Sequence, residues 1–327
     1  PWQLDRDPYR VWLSEVMLQQ TQVATVLRYY PRFLQRFPDV AALAAAPLEQ
    51  VLELWAGLGY YSRARQLHAC ARIVAADHGG RFPDNAQRLQ QLPGIGRSTA
   101  AAIAAFCFDE RVAILDGNVR RVLARQFGIE GATTAPAVER ELWRLAESLL
   151  PPAHSVAAYT QAIMDLGATV CTRAAPRCDA CPVADQCIAL RDGRVRELPA
   201  PRPARRVPLR RAHLLLALQG DAVLVEQRPA TGIWGGLLSL PEFGTAALLR
   251  ARARRLGVAR PRALAPRRHG FTHFTLEFTP HLLKADPPAP HVSEATERWL
   301  PLDRIESAAL PAPILGLLRQ VRDGGPR

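Results

Sequence analysis

The sequence predicts a two-domain protein: an all-α N-terminal domain followed by a smaller α+β domain. Three observations predict it. Apolar residues recur at helical spacing, without strand alternation, through residues 1–190; residues 191–211 are rich in proline and arginine; strand-like alternation begins after them. Length agrees, since 327 residues hold two domains at roughly 150 residues each. The hydrophobic fraction of 48% suffices for two packed cores. No apolar run nears the roughly 20 residues of a membrane span, so a soluble, cytoplasmic monomer with no membrane partner is expected. No signal peptide is visible, and a chain that begins at Pro1 instead of Met is expected to have a longer natural N-terminus.

The elements follow in order. Asp7-Pro8 reads as a helix start, with Asp as cap and Pro in the first turn. Val11, Trp12, Val16 and Val23 continue at helical spacing, and alanine-rich periodic segments follow at 40–56, 62–77, 98–107 and 137–150. Residues 191–211 hold four prolines and read as a linker. Residues 213–228 then read as strand, turn at Gly220-Asp221, and strand, and 269–283 as a further strand.

Net charge is +12, which suggests an anionic partner such as nucleic acid. Its distribution qualifies this. Residues 1–190 carry 19 basic and 18 acidic side chains, 191–211 carry 8 and 2, and 212–327 carry 15 and 10. Bulk charge alone therefore does not make the helical domain a DNA binder. Lys284 is the only lysine.

Cys171, Cys178, Cys181 and Cys187 are spaced C-x6-C-x2-C-x5-C. Four thiols so close in a cytosolic chain imply a metal site. Zinc more often shows two C-x2-C pairs, so an iron–sulfur cluster is the better reading. Cys70 and Cys107 sit in apolar helical stretches and read as core. Between two helical segments lies Leu92-Pro93-Gly94-Ile95-Gly96-Arg97. Its glycines permit a tight turn beside the helix that starts near Ser98, and this makes either a phosphate-binding nest or an ordinary turn.

The helix–hairpin–helix L-P-G-I-G-R, the later L-D-G-N and the cysteine spacing resemble the endonuclease III superfamily of DNA glycosylases. Within it, W-L-S-E-V-M-L-Q-Q-T at 12–21, G-L-G-Y-Y-S-R at 57–63, G-R-S-T at 96–99 and L-D-G-N-V-R-R-V at 115–122 resemble the MutY adenine glycosylases. The likeness covers essentially the whole chain, and the family carries further residues ahead of the Pro1-Trp2-Gln3 seen here. It implies an all-α helix–hairpin–helix glycosylase domain with an iron–sulfur loop, a Nudix-like C-terminal domain, and a [4Fe-4S] cofactor. It also implies a double-stranded DNA partner carrying adenine opposite 8-oxoguanine or guanine. The expected domains are 1–190, with the hairpin near 85–108 and the cluster at 171–187, then the linker 191–211, then 212–327.

Purine excision needs a protonated leaving group and a stabilised oxocarbenium ion, the two-carboxylate logic of glycoside hydrolysis. The base must also leave the duplex and enter a pocket. Glu15 lies among Trp12, Leu13, Val16 and Met17, surroundings that raise a carboxyl pKa. The resemblance makes it the acid that protonates adenine N7; without the family, a lone helical Glu reads as a solvated residue. Asp116 alone reads as a helix cap. The resemblance makes it the group that stabilises the sugar cation, with Asn118 positioning it. By the same resemblance, Gln19, Gln20 and Tyr60 wedge into the duplex, Thr21 and Leu58 lie near the oxidised base, and Gln161 contacts adenine. Gly94, Gly96, Arg97 and Ser98 are expected at the DNA backbone.

Over the Nudix box, Gly236, Glu242, Arg250, Gly257 and Val258 fit, but the metal-binding glutamate positions hold Ala251, Arg254 and Arg255. Magnesium needs oxygen ligands, so nucleotide hydrolysis is not expected. The eight arginines from Arg250 to Arg268 suit a phosphate-facing surface. Phe271-Thr272-His273 stands where the family has a Phe-Ser-His turn that probes oxidised guanine.

The competing readings are a bifunctional endonuclease III-type glycosylase/lyase, a non-catalytic DNA-binding iron–sulfur protein and a nucleotide pyrophosphatase. A lyase needs an amine for a Schiff base. Its lysine position holds Ser98, and residues 1–190 contain no lysine.

Overall fold

The computed structural model describes residues 6–201, 207–285 and 296–325. Pro1–Gln3 and linker residues 202–206 lie outside the described residues. The chain forms two compact units. One comprises 1–45 with 66–204, and the other 46–65 with 205–327. Residues 46–65, read from the sequence with the helical domain, thus pack with the C-terminal unit.

The first unit is helical. α1 (Pro8–Leu18) starts as the sequence predicts: Asp7 accepts hydrogen bonds from the backbone N–H groups of Tyr9 and Arg10. It buries Trp12, Leu13, Val16 and Met17. α2 (Val23–Arg36) and α3 (Val40–Ala45) follow. α4 (Leu48–Trp55) lies in the 46–65 segment and buries Val51, Leu52 and Trp55, and α5 (Ser62–Asp77) leads back to the helical unit.

The short α6 (Ala86–Leu89) and the long α7 (Arg97–Phe108) flank the hairpin. Gly94 takes φ +77°, and a Cβ there would stand 2.9 Å from Gln66 Cβ, so the turn requires glycine. α8 (Gly117–Gln126), α9 (Pro136–Ser148) and α10 (Val156–Asp165) enclose a core of Leu115, Val119, Leu123, Leu142 and Ile163. A π-turn (Leu166–Val170) and α11 (Ile188–Arg191) flank the cysteine loop.

The second unit is built on a mixed sheet. β1 (Leu209–Gln219) and β2 (Ala222–Gln227) form the predicted hairpin; β3 (Leu238–Ser239) and β4 (Glu242–Phe243) precede α12 (Ala246–Arg255). β5 (Arg262–Ala263), β6 (Arg267–Gly270), β7 (Thr275–Lys284) and β8 (Glu297–Pro301) complete the sheet, and α13 (Ala312–Arg322) ends the described chain. The sheet order is β3-β2-β1-β7-β5, with β1 and β7 parallel at its centre. α12 packs Leu249, Ala253 and Leu256 against Leu215, Ala217, Leu224 and Leu283.

The 269–283 run differs from the single strand expected. It breaks at 271–274, where Phe271 N–H donates to Phe274 O at 2.8 Å and β6 turns back onto β7. Phe274, Leu276 and Phe278 alternate, but Phe271 stands three positions before Phe274 and out of that phase, and the slip falls at the turn. Among the described residues, no helix is long and apolar enough to cross a membrane.

Candidate active site

Glu15 sits on the buried face of α1. It keeps partial exposure, yet protein surrounds its carboxyl, and this burial, with the charge of Asp116 as a second cause, pushes its pKa up to about 7. Glu15 and Asp116, 101 positions apart in sequence, are therefore brought within electrostatic reach.

Asp116 is both cap and candidate catalyst. Its Oδ1 accepts from Val119 N–H at 2.8 Å at the start of α8. Burial raises its pKa, opposed by hydrogen bonds from the backbone N–H groups of Val119 and Asn118 and by the nearby Arg121 and Arg120 guanidiniums. Glu15 is thus placed to hold a proton, while at Asp116 donors and cations oppose the rise that burial causes. Ser98 Oγ accepts from Leu115 N–H at 3.2 Å, fixing the residue before Asp116 to the start of α7.

Asn118 supports Asp116 through its backbone. Its side-chain oxygen instead accepts from Arg121 Nη2 at 2.9 Å. Arg121 also donates to Gly167 O at 2.6 Å and to Cys171 O at 2.7 Å. Gly167 must lack a side chain, since a Cβ there would lie 2.6 Å from Asn118 Cβ. Sequence reasoning missed Arg121, which joins the Asp116 turn to the cysteine loop. Its only sequence signal is its place in L-D-G-N-V-R-R-V.

Cys171, Cys178, Cys181 and Cys187 form no disulfide and line one hollow with Val122, Arg125, Leu166, Val170, Val183 and Leu190. Burial and the neighbouring Cys171, Cys187 and Cys181 raise the Cys178 thiol. The buried Arg125 guanidinium lies 3.3 Å from Cys171 Sγ and donates to Thr172 O at 2.7 Å and Leu198 O at 2.8 Å. Among the described residues, no three His, Cys, Asp or Glu side chains converge closely enough for a single metal ion. A cubane bound at four corners spaces its thiolates more widely than one ion does. Four thiols around an apolar, cation-flanked hollow fit that larger group.

Two exposed residues hold unusual backbone. Gln20 and Tyr60 take φ 57° and 47°, in the left-handed region. Such strain persists where surrounding structure imposes it, and it clusters at functional sites. The Tyr60 loop is braced by the buried Arg63, whose Nη2 donates to Leu58 O at 3.4 Å and Gly59 O at 3.3 Å. Leu58 is buried. Gln19 donates to Thr99 Oγ1 at 3.2 Å, and Thr21 O–H to Gln19 O at 3.5 Å. Gln161 donates to Asp165 Oδ1 at 2.8 Å. No side chain caps α7 after Gly96. Arg97 is engaged internally, 3.6 Å over the Trp143 ring and 2.6 Å from Glu147.

In the C-terminal unit, Glu242 of the Nudix frame lies 2.7 Å from Arg210 and 3.0 Å from Arg228. That pairing neutralises the acidic residue left in the box. Of the arginine run, Arg252 pairs with Glu297 at 2.5 Å and Arg268 with Glu277 at 2.7 Å, while Arg254, Arg255 and Arg260 are exposed. Thr272 and His273 are exposed at the tip of the 271–274 turn, and Phe271 is half-buried beneath them.

Residues 13–148 match the family model of the HhH-GPD superfamily base excision DNA repair proteins, and 212–320 match the NUDIX domain. The adenine DNA glycosylase of Buchnera aphidicola subsp. Acyrthosiphon pisum (strain APS) is 32% identical over 98% of this chain and 93% of its own length. The chain belongs to the adenine DNA glycosylases. The Mus musculus adenine DNA glycosylase is 37% identical over 98% of this chain and 72% of its own. A thermostable thymine-DNA glycosylase superposes with TM-score 0.54 at 30% identity, over 59% of this chain and 88% of that one. An endonuclease III in a non-covalent DNA complex gives 0.51 at 20% over the same shares and has the same fold. For an adenine DNA glycosylase, whose work is hydrolysis of an N-glycosyl bond, a pair of carboxyls is the expected equipment.

Proposed function

We propose that this adenine DNA glycosylase is monofunctional and removes adenine mispaired with 8-oxoguanine, or with guanine, from duplex DNA. The observation that carries the reading is the Glu15–Asp116 pair: burial raises both carboxyls, Glu15 to about 7, and at Asp116 backbone donors and arginines oppose the rise. The flipped adenine takes the Glu15 proton at N7. The bond from C1′ to N9 then breaks, and its electron pair leaves with the base. The Asp116 carboxylate stabilises the sugar cation until water adds at C1′ and returns its proton to Glu15.

Other residues bind and orient. The N–H groups of Arg97 and Ser98, at the start of α7, face a phosphate, and the Arg97 side chain braces the turn through Trp143 and Glu147. Gln19, Gln20 and Tyr60 wedge into the duplex, and Thr21 and Leu58 lie near the oxidised base. Gln161 reads the adenine edge, as an amide can. Phe271, Thr272 and His273 read the oxidised base. Cys171, Cys178, Cys181 and Cys187 would hold a [4Fe-4S] cluster. When bound, it cross-links the DNA-facing loop and Arg121 keeps that loop registered with Asp116.

Ser98 offers no amine, and its hydroxyl is committed to Leu115 N–H. The test is an incubation with duplex carrying adenine opposite 8-oxoguanine. Strand breaks should appear only after alkali, and borohydride should trap little covalent adduct. Efficient trapping by the wild-type protein would falsify the monofunctional mechanism.

A further inference from the structure

The turn at 229–236, between β2 and β3, has no part in the chemistry above. Trp234 adopts φ 54° there and is 6% exposed. A left-handed tryptophan is strained, and a merely connecting turn would place Gly or Asn at such a position. The turn is tightly built. A Cβ on Gly235 would lie 2.5 Å from Ala230 O. Gln227 Nε2 donates to Gly236 O at 2.6 Å, and Leu237 N–H to Trp234 O at 3.0 Å.

The turn touches two candidate DNA-reading elements within its own unit. On one side, Arg65 Nη1 donates to Gly235 O at 2.6 Å, and a Cβ on Gly236 would stand 3.3 Å from Leu52 Cδ1. Arg65 and Leu52 flank the loop that carries Leu58 and Tyr60. On the other side, the Trp234 ring lies 5.8 Å from Phe271 and 6.1 Å from His269. Phe271 stacks on Phe274 at 4.7 Å, which closes the turn presenting Thr272 and His273.

We propose that Trp234 and Arg65 are positioning residues that hold the 271–274 turn at a fixed spacing from the Leu58–Tyr60 loop, and so set the preference for 8-oxoguanine opposite adenine. The inference rests on the reading of that base by Thr272 and His273. Strain at Trp234 serves this end, because the left-handed backbone aims the ring at Phe271 while Gly235 O remains turned to Arg65.

The test is the ratio of single-turnover rates on adenine opposite 8-oxoguanine and opposite guanine. Simple loss of active protein scales both rates and leaves the ratio alone. Trp234→Leu should lower it about three- to tenfold, the equivalent of one lost aromatic pair, and Trp234→Phe should keep it within about twofold. Arg65→Met removes the Gly235 hydrogen bond, should lower the ratio in the same direction, and keeps the test open if Trp234→Leu does not fold. With Thr272 and His273 both replaced by alanine, adding Trp234→Leu should lower the ratio no further, because coupled residues are not additive. A further drop in that background overturns the proposal. So does an unchanged ratio in Trp234→Leu and Arg65→Met while the double alanine variant loses preference. A double alanine variant with undiminished preference refutes instead the underlying reading of the oxidised base.

Discussion

Replacing Glu15 by Gln should stabilise the protein, and increasingly so as pH rises. The folded carboxyl titrates near 7 against an ordinary 4.5, so the folded state binds this proton more tightly than the unfolded chain does. Stability is therefore lost as pH climbs from the ordinary value through the folded one. At about 1.36 kcal/mol per pH unit the full gap corresponds to about 3 kcal/mol. Gln has the same shape, cannot ionise and carries no such penalty. The advantage of Glu15→Gln should be about 1 kcal/mol near pH ~5.5 and about 3 kcal/mol near pH ~8, a difference of about 2 kcal/mol. Urea unfolding of both proteins at the two pH values, followed by circular dichroism of the helical unit, measures it. An advantage equal at both pH values would mean that Glu15 has an ordinary pKa, and the reasoning would be refuted. The same variant should excise no adenine, the usual exchange of stability for function at a buried catalytic group.

Three further outcomes are expected. Asp116→Asn should keep the helix cap, because an amide oxygen also accepts from Val119 N–H, but should lose about 10²-fold or more in single-turnover excision; turnover near wild type would remove Asp116 from the chemistry. Purified protein should contain iron and not zinc, and Arg121→Met should retain that iron while excising adenine about 10- to 100-fold more slowly. Iron loss equal to the activity loss would reduce Arg121 to a cluster-holding residue. Ser98→Ala should slow excision by leaving the N–H of the buried Leu115 without its partner, at a cost of about 1–3 kcal/mol in stability; no change in either would leave the α7-to-Asp116 tie without consequence.

Local signals were legible in the sequence because their causes are local. Asp7-Pro8 starts α1 through hydrogen bonds to residues two and three positions on. Gly94 marks a left-handed turn, and the four cysteines share a hollow within a short loop. The apolar helical neighbours of Glu15 pointed to a raised pKa, but its role, like that of Asp116, was legible only through the family likeness. What stayed hidden depends on contacts across the chain. Arg121 and Arg125 reach carbonyls 46 to 73 positions away, and no spacing rule points to them. The need for glycine at Gly167 comes from Asn118, on another helix. The membership of 46–65 in the C-terminal unit depends on contacts such as Arg65 to Gly235, 170 positions apart. The break at Phe271 shows in the sequence only as a one-residue slip of phase between Phe271 and Phe274.

The most direct measurement of the central claim is the pH dependence of the single-turnover rate on adenine opposite 8-oxoguanine. Glu15 must hold its proton to act, and its pKa lies at about 7. Asp116 must be ionised. The account predicts a rate that falls about tenfold per pH unit above neutrality as Glu15 loses its proton, and that falls again toward acid as Asp116 gains one. A rate that stays level or rises from about pH 6 to about pH 9 would contradict a buried carboxylic acid as the proton donor.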